Sequence, residues 1–200
     1  MEIDTLDKLH ALYGTPAAPS LVKVAAHITP EYAAWIEASP FCALATIGPE
    51  GSDCTPRGDA GQVAVIETPT TLALPDRRGN NRIDTLRNIV RDPRCSLMFL
   101  IPGSGTVIRV NGQGRITAAP DCLEKYKQQG KAPRTVLMVD VEAVYFQCAR
   151  AVIRADLWAG MAVPDHLPSP GDVLAAMSGG AEGGAEYDKA WPERAKATMW

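Results

Sequence analysis

From Phe41 onward, short apolar runs alternate with turn chemistry, and this alternation restricts the fold more than any other feature of the chain. Phe41-Cys42-Ala43-Leu44-Ala45-Thr46-Ile47 is closed by Gly48-Pro49-Glu50-Gly51, so a hairpin is expected, with its return strand running through Ser52 to Pro56. Arg57-Gly58-Asp59-Ala60-Gly61 interrupts before Val63 to Glu67 and Thr70 to Leu74 give two more strand signals. Later, Cys95 to Ile101 is a β-rich run, Pro102-Gly103-Ser104-Gly105 turns, and Thr106 to Val110 and Gly114 to Thr117 add two segments. Arg134 to Arg154, rich in Val, Leu and aromatic residues, is expected to supply the last strands. Tight turns make neighbouring strands antiparallel, and a small sheet of six or more such strands hides its edges best by closing into a barrel. The fold class expected is mainly β with flanking helices, α+β.

The helices are few and have clear signals. Ile3, Leu6, Leu9, Leu12 and Tyr13 fall at helical spacing until Gly14, Pro16 and Pro19 stop them. Thr29-Pro30-Glu31 combines an N-cap, a first-position proline and an acidic first turn, opening a helix to about Ala38 with Tyr32, Trp35 and Ile36 on its buried face. Ile83, Leu86, Ile89 and Val90 make a third helix, ended by Asp92-Pro93, and Asp121 to Gln129 a fourth, bracketed by Pro120 and Gly130. Beyond Trp158 the composition is that of a loop, before a helix-like end from Tyr187 to Trp200. At 200 residues a single core is expected, with an N-terminal helix and linker over 1–27, the barrel over 28–160, and an extension of the same domain over 161–200.

Charge narrows the partners. A net charge of −3 provides no global positive field for nucleic acid or an anionic membrane, so neither is expected as a partner. The five cysteines, Cys42, Cys54, Cys95, Cys122 and Cys148, are widely spaced with no zinc-type pairing, which suits reduced thiols. The acidic start around Glu2, Asp4 and Asp7 is unlike a signal peptide, and no apolar run is long enough to span a bilayer; a cytoplasmic location is expected.

Two clusters carry candidate chemistry. Arg77, Arg78 and Arg82 fall within seven positions of a strand end, together with Gly79, Asn80 and Asn81, and a helix follows. Forked guanidinium donors, close backbone approach and the free N–H groups of a helix start together suit a phosphate, although a solvated basic loop has the same composition. Pro56-Arg57-Gly58-Asp59 sits between two strand signals, where Arg57 either faces a ligand or pairs with an acidic neighbour on a bulge. His10, His27 and His166 flank no cysteine in a recognisable motif, and GxSxG, HExxH and P-loop patterns are absent. Trp158 could cap a planar ligand or serve a core or subunit interface.

Taken in order, these pieces resemble the pyridoxamine 5′-phosphate oxidase superfamily over about residues 28 to 158. The resemblance is carried by Phe41 to Thr46, the Gly48–Gly51 turn, Pro56-Arg57-Gly58-Asp59, Leu72 to Asp76, the arginine and asparagine loop, Asp92 to Phe99, and Ile108 to Gly114. It implies a six-stranded split β-barrel, a homodimer holding FMN at its interface, and cofactor-binding residues Arg57, Asp59, Arg77, Arg78, Asn81 and Arg82, of which Arg57 and the loop from Arg77 to Arg82 take the phosphate, with Asn81 and Arg82 preferred as nearest the helix start. Gln147, Arg154 and Trp158, in and after the strand Val144 to Arg150, resemble the family's late flavin-side segment. More narrowly, Arg57-Gly58-Asp59 with Arg78-Gly79-Asn80-Asn81-Arg82 looks like a branch of probable FMN-dependent enzymes.

The chain departs from the oxidase itself. Asp121 to Lys131 lacks the tyrosine, arginine and serine group, and Ile153-Arg154-Ala155-Asp156 lacks the Arg-x-His, by which that enzyme holds pyridoxal phosphate. An FMN-dependent oxidoreductase acting on another small molecule is therefore the leading expectation. A non-catalytic flavin storage or sensor module, or a deazaflavin-dependent reductase on the same barrel, are the alternatives. No residue is assigned a catalytic role, and no metal site is expected.

Overall fold

Along β1 (Phe41–Gly48) every second residue is buried, with Cys42, Leu44 and Thr46 facing inward and Phe41, Ala43, Ala45 and Ile47 outward. The same alternation in β5 (Arg94–Leu100) buries Cys95, Leu97 and Phe99 against it. The structure, a computed structural model, describes residues 2–160 and 162–199. The remaining strands are β2 (Gly51–Gly58), β3 (Val65–Thr68), β4 (Thr71–Pro75), β6 (Val107–Thr117) and β7 (Val136–Gln147). The helices are α1 (Leu6–Tyr13), α2 (Ala18–Val22), α3 (Pro30–Glu37), α4 (Asp84–Arg91), α5 (Pro120–Lys125), α6 (Arg150–Arg154), α7 (Pro170–Ser178) and α8 (Ala185–Thr198).

All seven strands pair antiparallel in the order β2-β1-β5-β6-β7-β4-β3. In a flat sheet β2 and β4 would lie about 24 Å apart, five steps of strand spacing. Yet the Arg57 guanidinium of β2 is 2.8 Å from Asp76 Oδ1, one residue past β4. The sheet is therefore strongly curled, and its concave face encloses a core of Leu44, Leu72, Leu97, Phe99, Ile108, Val110, Leu137, Val139 and Val144. Ile36 of α3 and Ile89 of α4 join this core. Burying nine such side chains is worth about 1.5–3 kcal/mol each before the chain's ordering entropy is set against it.

The sheet has seven strands where six were expected, and no strand pairing joins its two outer strands, β2 and β3, among the described residues. Two expected segments, Thr106 to Val110 and Gly114 to Thr117, fuse into the single strand β6 across a bulge at Asn111/Gly112. A Cβ on Gly112 would lie 2.2 Å from the Asp140 carbonyl oxygen, so only glycine fits where β6 and β7 approach there. The run Arg134 to Arg154 makes one strand, β7, and then turns helical, so Val152 and Ile153 belong to α6. Trp35 is exposed, contrary to its expected burial, because the side of α3 that meets the core carries Tyr32, Ala33 and Ile36. α5 ends at Lys125, short of Gln129, whose φ of 48° is left-handed.

α7 lies in the stretch read as loop. Its start has a capping box, with Ser169 and Asp172 each bonding the other's backbone and Pro170 at the first position. The C-terminal helix spans Ala185–Thr198, and Trp200 lies outside the described residues. No helix among the described residues is long and apolar enough to cross a membrane.

Candidate functional site

Pro75 ends β4 opposite Val136, the first residue of β7, so the loop after β4 runs beside Arg134 and Thr135. Between that loop, β2 and the start of β7 lies a cleft of ≈ 910 Å³. Its floor is apolar, made by Leu44, Val63, Leu74 and Leu137 of the core. Its rim is charged, with Arg57, Arg77, Arg78, Arg82 and Arg134 set among Asp53, Asp59, Asp76 and Asp84.

Not all of these charges are available to a ligand. Arg57 is paired with Asp76 at 2.8 Å, and Arg77 Nε donates to Asp59 Oδ2 at 2.8 Å while its Nη1 donates to the Tyr126 carbonyl. The Arg77–Asp59 pair is well enclosed, at 17% and 7% side-chain exposure, and ties the loop to the end of β2. Arg82 pairs with Asp84 at 2.9 Å in the open. Arg78 has no ion pair or side-chain hydrogen bond among the described residues, and Arg134 donates only to the neutral Asn81 Oδ1, at 2.9 Å. Two positive charges thus face the cleft uncompensated.

Other polar groups there also lack partners. The Thr135 hydroxyl is buried in the wall without a hydrogen bond. Ile83, the residue before α4, supplies no side-chain cap to the helix's first-turn N–H groups, and Ile83 to Leu86 line the cleft. The loop is also strained: Asn81 has φ 63° and Ile83 φ 53°, the latter rare for a β-branched residue. It is held in place from below, where the Thr85 hydroxyl donates to Asp53 at 2.6 Å and Asn88 donates to Thr46 Oγ1 at 3.2 Å.

Of the residues expected at the site, Arg57, Asp59, Arg77, Arg78, Asn81 and Arg82 all line this one cleft. Gln147, Arg154 and Trp158 do not. Gln147 pairs with Val107 at the far end of β7, roughly 35 Å of extended strand from Val136. Trp158 donates its indole N–H to the Ser104 carbonyl at 2.7 Å, and Arg154 closes α6 at the same end. Cys148 lies there too, its thiol pulled below the ordinary range by the backbone N–H of Arg150 and by nearby positive charge. By contrast, burial pushes the thiols of Cys42 and Cys95 up to about 12. Among the described residues no group of histidine, cysteine and carboxylate side chains could hold a metal.

Arg134 and Thr135 have no signal in the local sequence, because only the long-range pairing of β4 with β7 brings them to the loop. The cleft also takes Trp191 and Met199 from the C-terminal helix region.

The sequence profile described as pyridoxamine 5′-phosphate oxidase matches residues 28–148. Among solved structures, HupZ of Group A Streptococcus is 19% identical, covering 60% of this chain and 94% of its own, with a TM-score of 0.49. General stress protein 26 of Bacillus anthracis is 13% identical over 57% of this chain and 88% of its own, at a TM-score of 0.45. An F420 reductase is 17% identical over 58% of this chain and 98% of its own, at 0.44. No match is found among proteins of curated function.

Proposed function

The chain belongs to the pyridoxamine 5′-phosphate oxidase family, and on that premise we propose that it binds FMN in the cleft beside Arg78 and Arg134 and acts as an FMN-dependent oxidoreductase on a small molecule. One observation carries this reading: the guanidiniums of Arg78 and Arg134, neither in an ion pair among the described residues, line a cleft with an apolar floor, and the unpartnered Thr135 hydroxyl lies buried in its wall. That donor set suits a phosphate, and the floor suits an uncharged planar ring. Arg78 and Arg134 would hold the phosphate together with Thr135 and the first-turn N–H groups of α4. Asn81 orients Arg134, and Arg82 is held by Asp84 in the open.

The Arg57–Asp76 and Arg77–Asp59 pairs act differently. Each is already neutral, so they set the loop's position against β2 rather than supply charge. When bound, FMN would supply one- and two-electron transfer chemistry, and the protein's part is to bind, orient and exclude water. The substrate is not pyridoxamine phosphate on this reading: the tyrosine beside α5, Tyr126, is buried with its hydroxyl given to Glu67.

The split barrel and the homodimer form part of the same proposal. Gln147, Arg154 and Trp158 would reach a flavin only from a second copy of the chain. Phe41, Ile47 and Met98, exposed together on the outer face of β1 and β5, offer that copy an apolar surface.

The test is a titration of the purified protein with FMN. Binding should quench flavin fluorescence and give the two-banded spectrum of an oxidised flavin. Arg78→Ala should weaken it by about 1.5–3 kcal/mol, the scale of a lost charged hydrogen bond. Protein that neither copurifies with FMN nor binds it on titration would overturn the reading.

A further inference from the structure

One wall of the cleft comes from outside the matched family region. α8 follows residue 148 by more than thirty positions, yet its Trp191 lines the cleft, and Met199 lines it just past the helix end. Trp191 is the only aromatic ring among the described lining residues. We propose that Trp191 is the stacking wall of this site: it takes the planar heteroaromatic part of a ligand whose anionic part lies at Arg78 and Arg134. This rests on the flavin reading of the cleft and deepens it by assigning the ring end.

The indole is a prepared surface. Tyr187, one helical turn earlier, stacks on it at 6.3 Å between centroids and 12° between planes. The Arg194 guanidinium lies over both rings, 4.5 Å from Tyr187 and 5.1 Å from Trp191. These neighbours brace the ring while leaving it 52% exposed. An indole braced in this way offers a π-face without first having to be ordered, which favours stacking.

The helix that carries it is itself anchored. Asp188 accepts from the backbone N–H of Gly171 at 2.8 Å and from the Ser169 hydroxyl at 2.5 Å, both at the start of α7. A Cβ on Gly171 would sit 2.3 Å from Asp188 Oδ2, so glycine lets the two helices close on each other. α7 and α8 therefore form a built hairpin, and Trp191 projects from it. Trp158, the other tryptophan considered for stacking, is committed to Ser104 at the far end of β7 and does not share the cleft within one chain.

Within one chain the cleft then has three parts: cations at the rim with a hydroxyl buried in the wall beside them, aliphatic residues Leu44, Leu74 and Leu137 on the floor, and one indole from α8. A ligand with an anionic tail and a flat ring matches all three.

The experiment is an FMN titration of the full chain, read by flavin fluorescence for affinity and by tryptophan emission for contact. Trp191→Ala should weaken binding about tenfold. Trp191→Phe should hold affinity within about threefold, since a ring remains, yet lose a large part of the FMN-induced drop in tryptophan emission. Trp35→Phe, on the exposed side of α3, should keep that drop. Circular dichroism melts of all three should match the wild type, because neither tryptophan is buried. Wild-type affinity and an undiminished emission drop in both Trp191 variants would overturn the proposal while leaving the flavin reading intact. Wild-type protein that binds no FMN would overturn the flavin reading and this assignment with it.

Discussion

The two ends of β7 hold different chemistry. At Val136 the strand opens onto a rim of five arginines and four aspartates, most of them paired. At Gln147 it runs into Cys148, Arg150 and Trp158, where the contacts are a thiol, a backbone carbonyl and an exposed indole. Roughly 35 Å of strand separates them, so sequence nearness to a motif does not decide membership of one site. Within the charged end a second difference appears: enclosed pairs build the loop, and only the unpaired cations are left to meet a ligand.

The largest expected effect separates those two kinds of charge. Asp59→Ala removes the enclosed carboxylate that ties Arg77 to the end of β2, and folding stability should fall by about 3 kcal/mol. Arg82→Ala breaks a pair whose arginine is 76% exposed, and should stay within about 0.5 kcal/mol of wild type. Urea unfolding curves measure both. Equal losses would erase the distinction between building and binding arginines.

A smaller effect tests whether the ends of β7 cooperate. Under the dimer proposal Trp158→Ala should weaken FMN binding by about 1 kcal/mol, and diluting wild-type protein until it dissociates should weaken it further. Sedimentation velocity run alongside the titration connects the two. Affinity that is indifferent both to Trp158 and to dilution would confine the site to one end of the strand in one chain.

How much of this was legible beforehand depended on the range of the interaction that decides each feature. The β1–β2 hairpin, the Thr29 cap and the loop from Asp76 to Arg82 are written in local turn and cap chemistry, and they stand where those signals placed them. α7 was equally local: Ser169-Pro170-Gly171-Asp172 is a cap signature, hidden by the glycine-rich stretch that follows it. Arg134 and Thr135 had no such signal, since the register Pro75↔Val136 sets their position and no window of sequence contains both strands. Trp35 departs from its expected burial for a related reason: helical spacing marks an apolar side without saying how much of it the sheet covers. The pairing of Arg57 with Asp76 depends on the curl of the whole sheet.

The finest test uses the thiols, because one lies at each end. Cys54 lines the cleft and is exposed; Cys148 is exposed at the far end. The Cys148 thiol titrates below the ordinary thiol range, so its thiolate, the reactive form, persists to lower pH than an ordinary thiol's, and its labelling rate should fall only as pH drops through that lowered value. Cys42 and Cys95, buried and pushed up to about 12, should not label in native protein. FMN should slow Cys54 labelling severalfold by covering the cleft. If the flavin lies between two copies it should slow Cys148 as well, since the far end of one β7 then approaches the cleft of the other. Mass spectrometry of alkylated peptides with and without FMN reads the two sites separately. Protection of Cys54 alone would assign the whole site to the charged end and release Gln147, Arg154 and Trp158 from it.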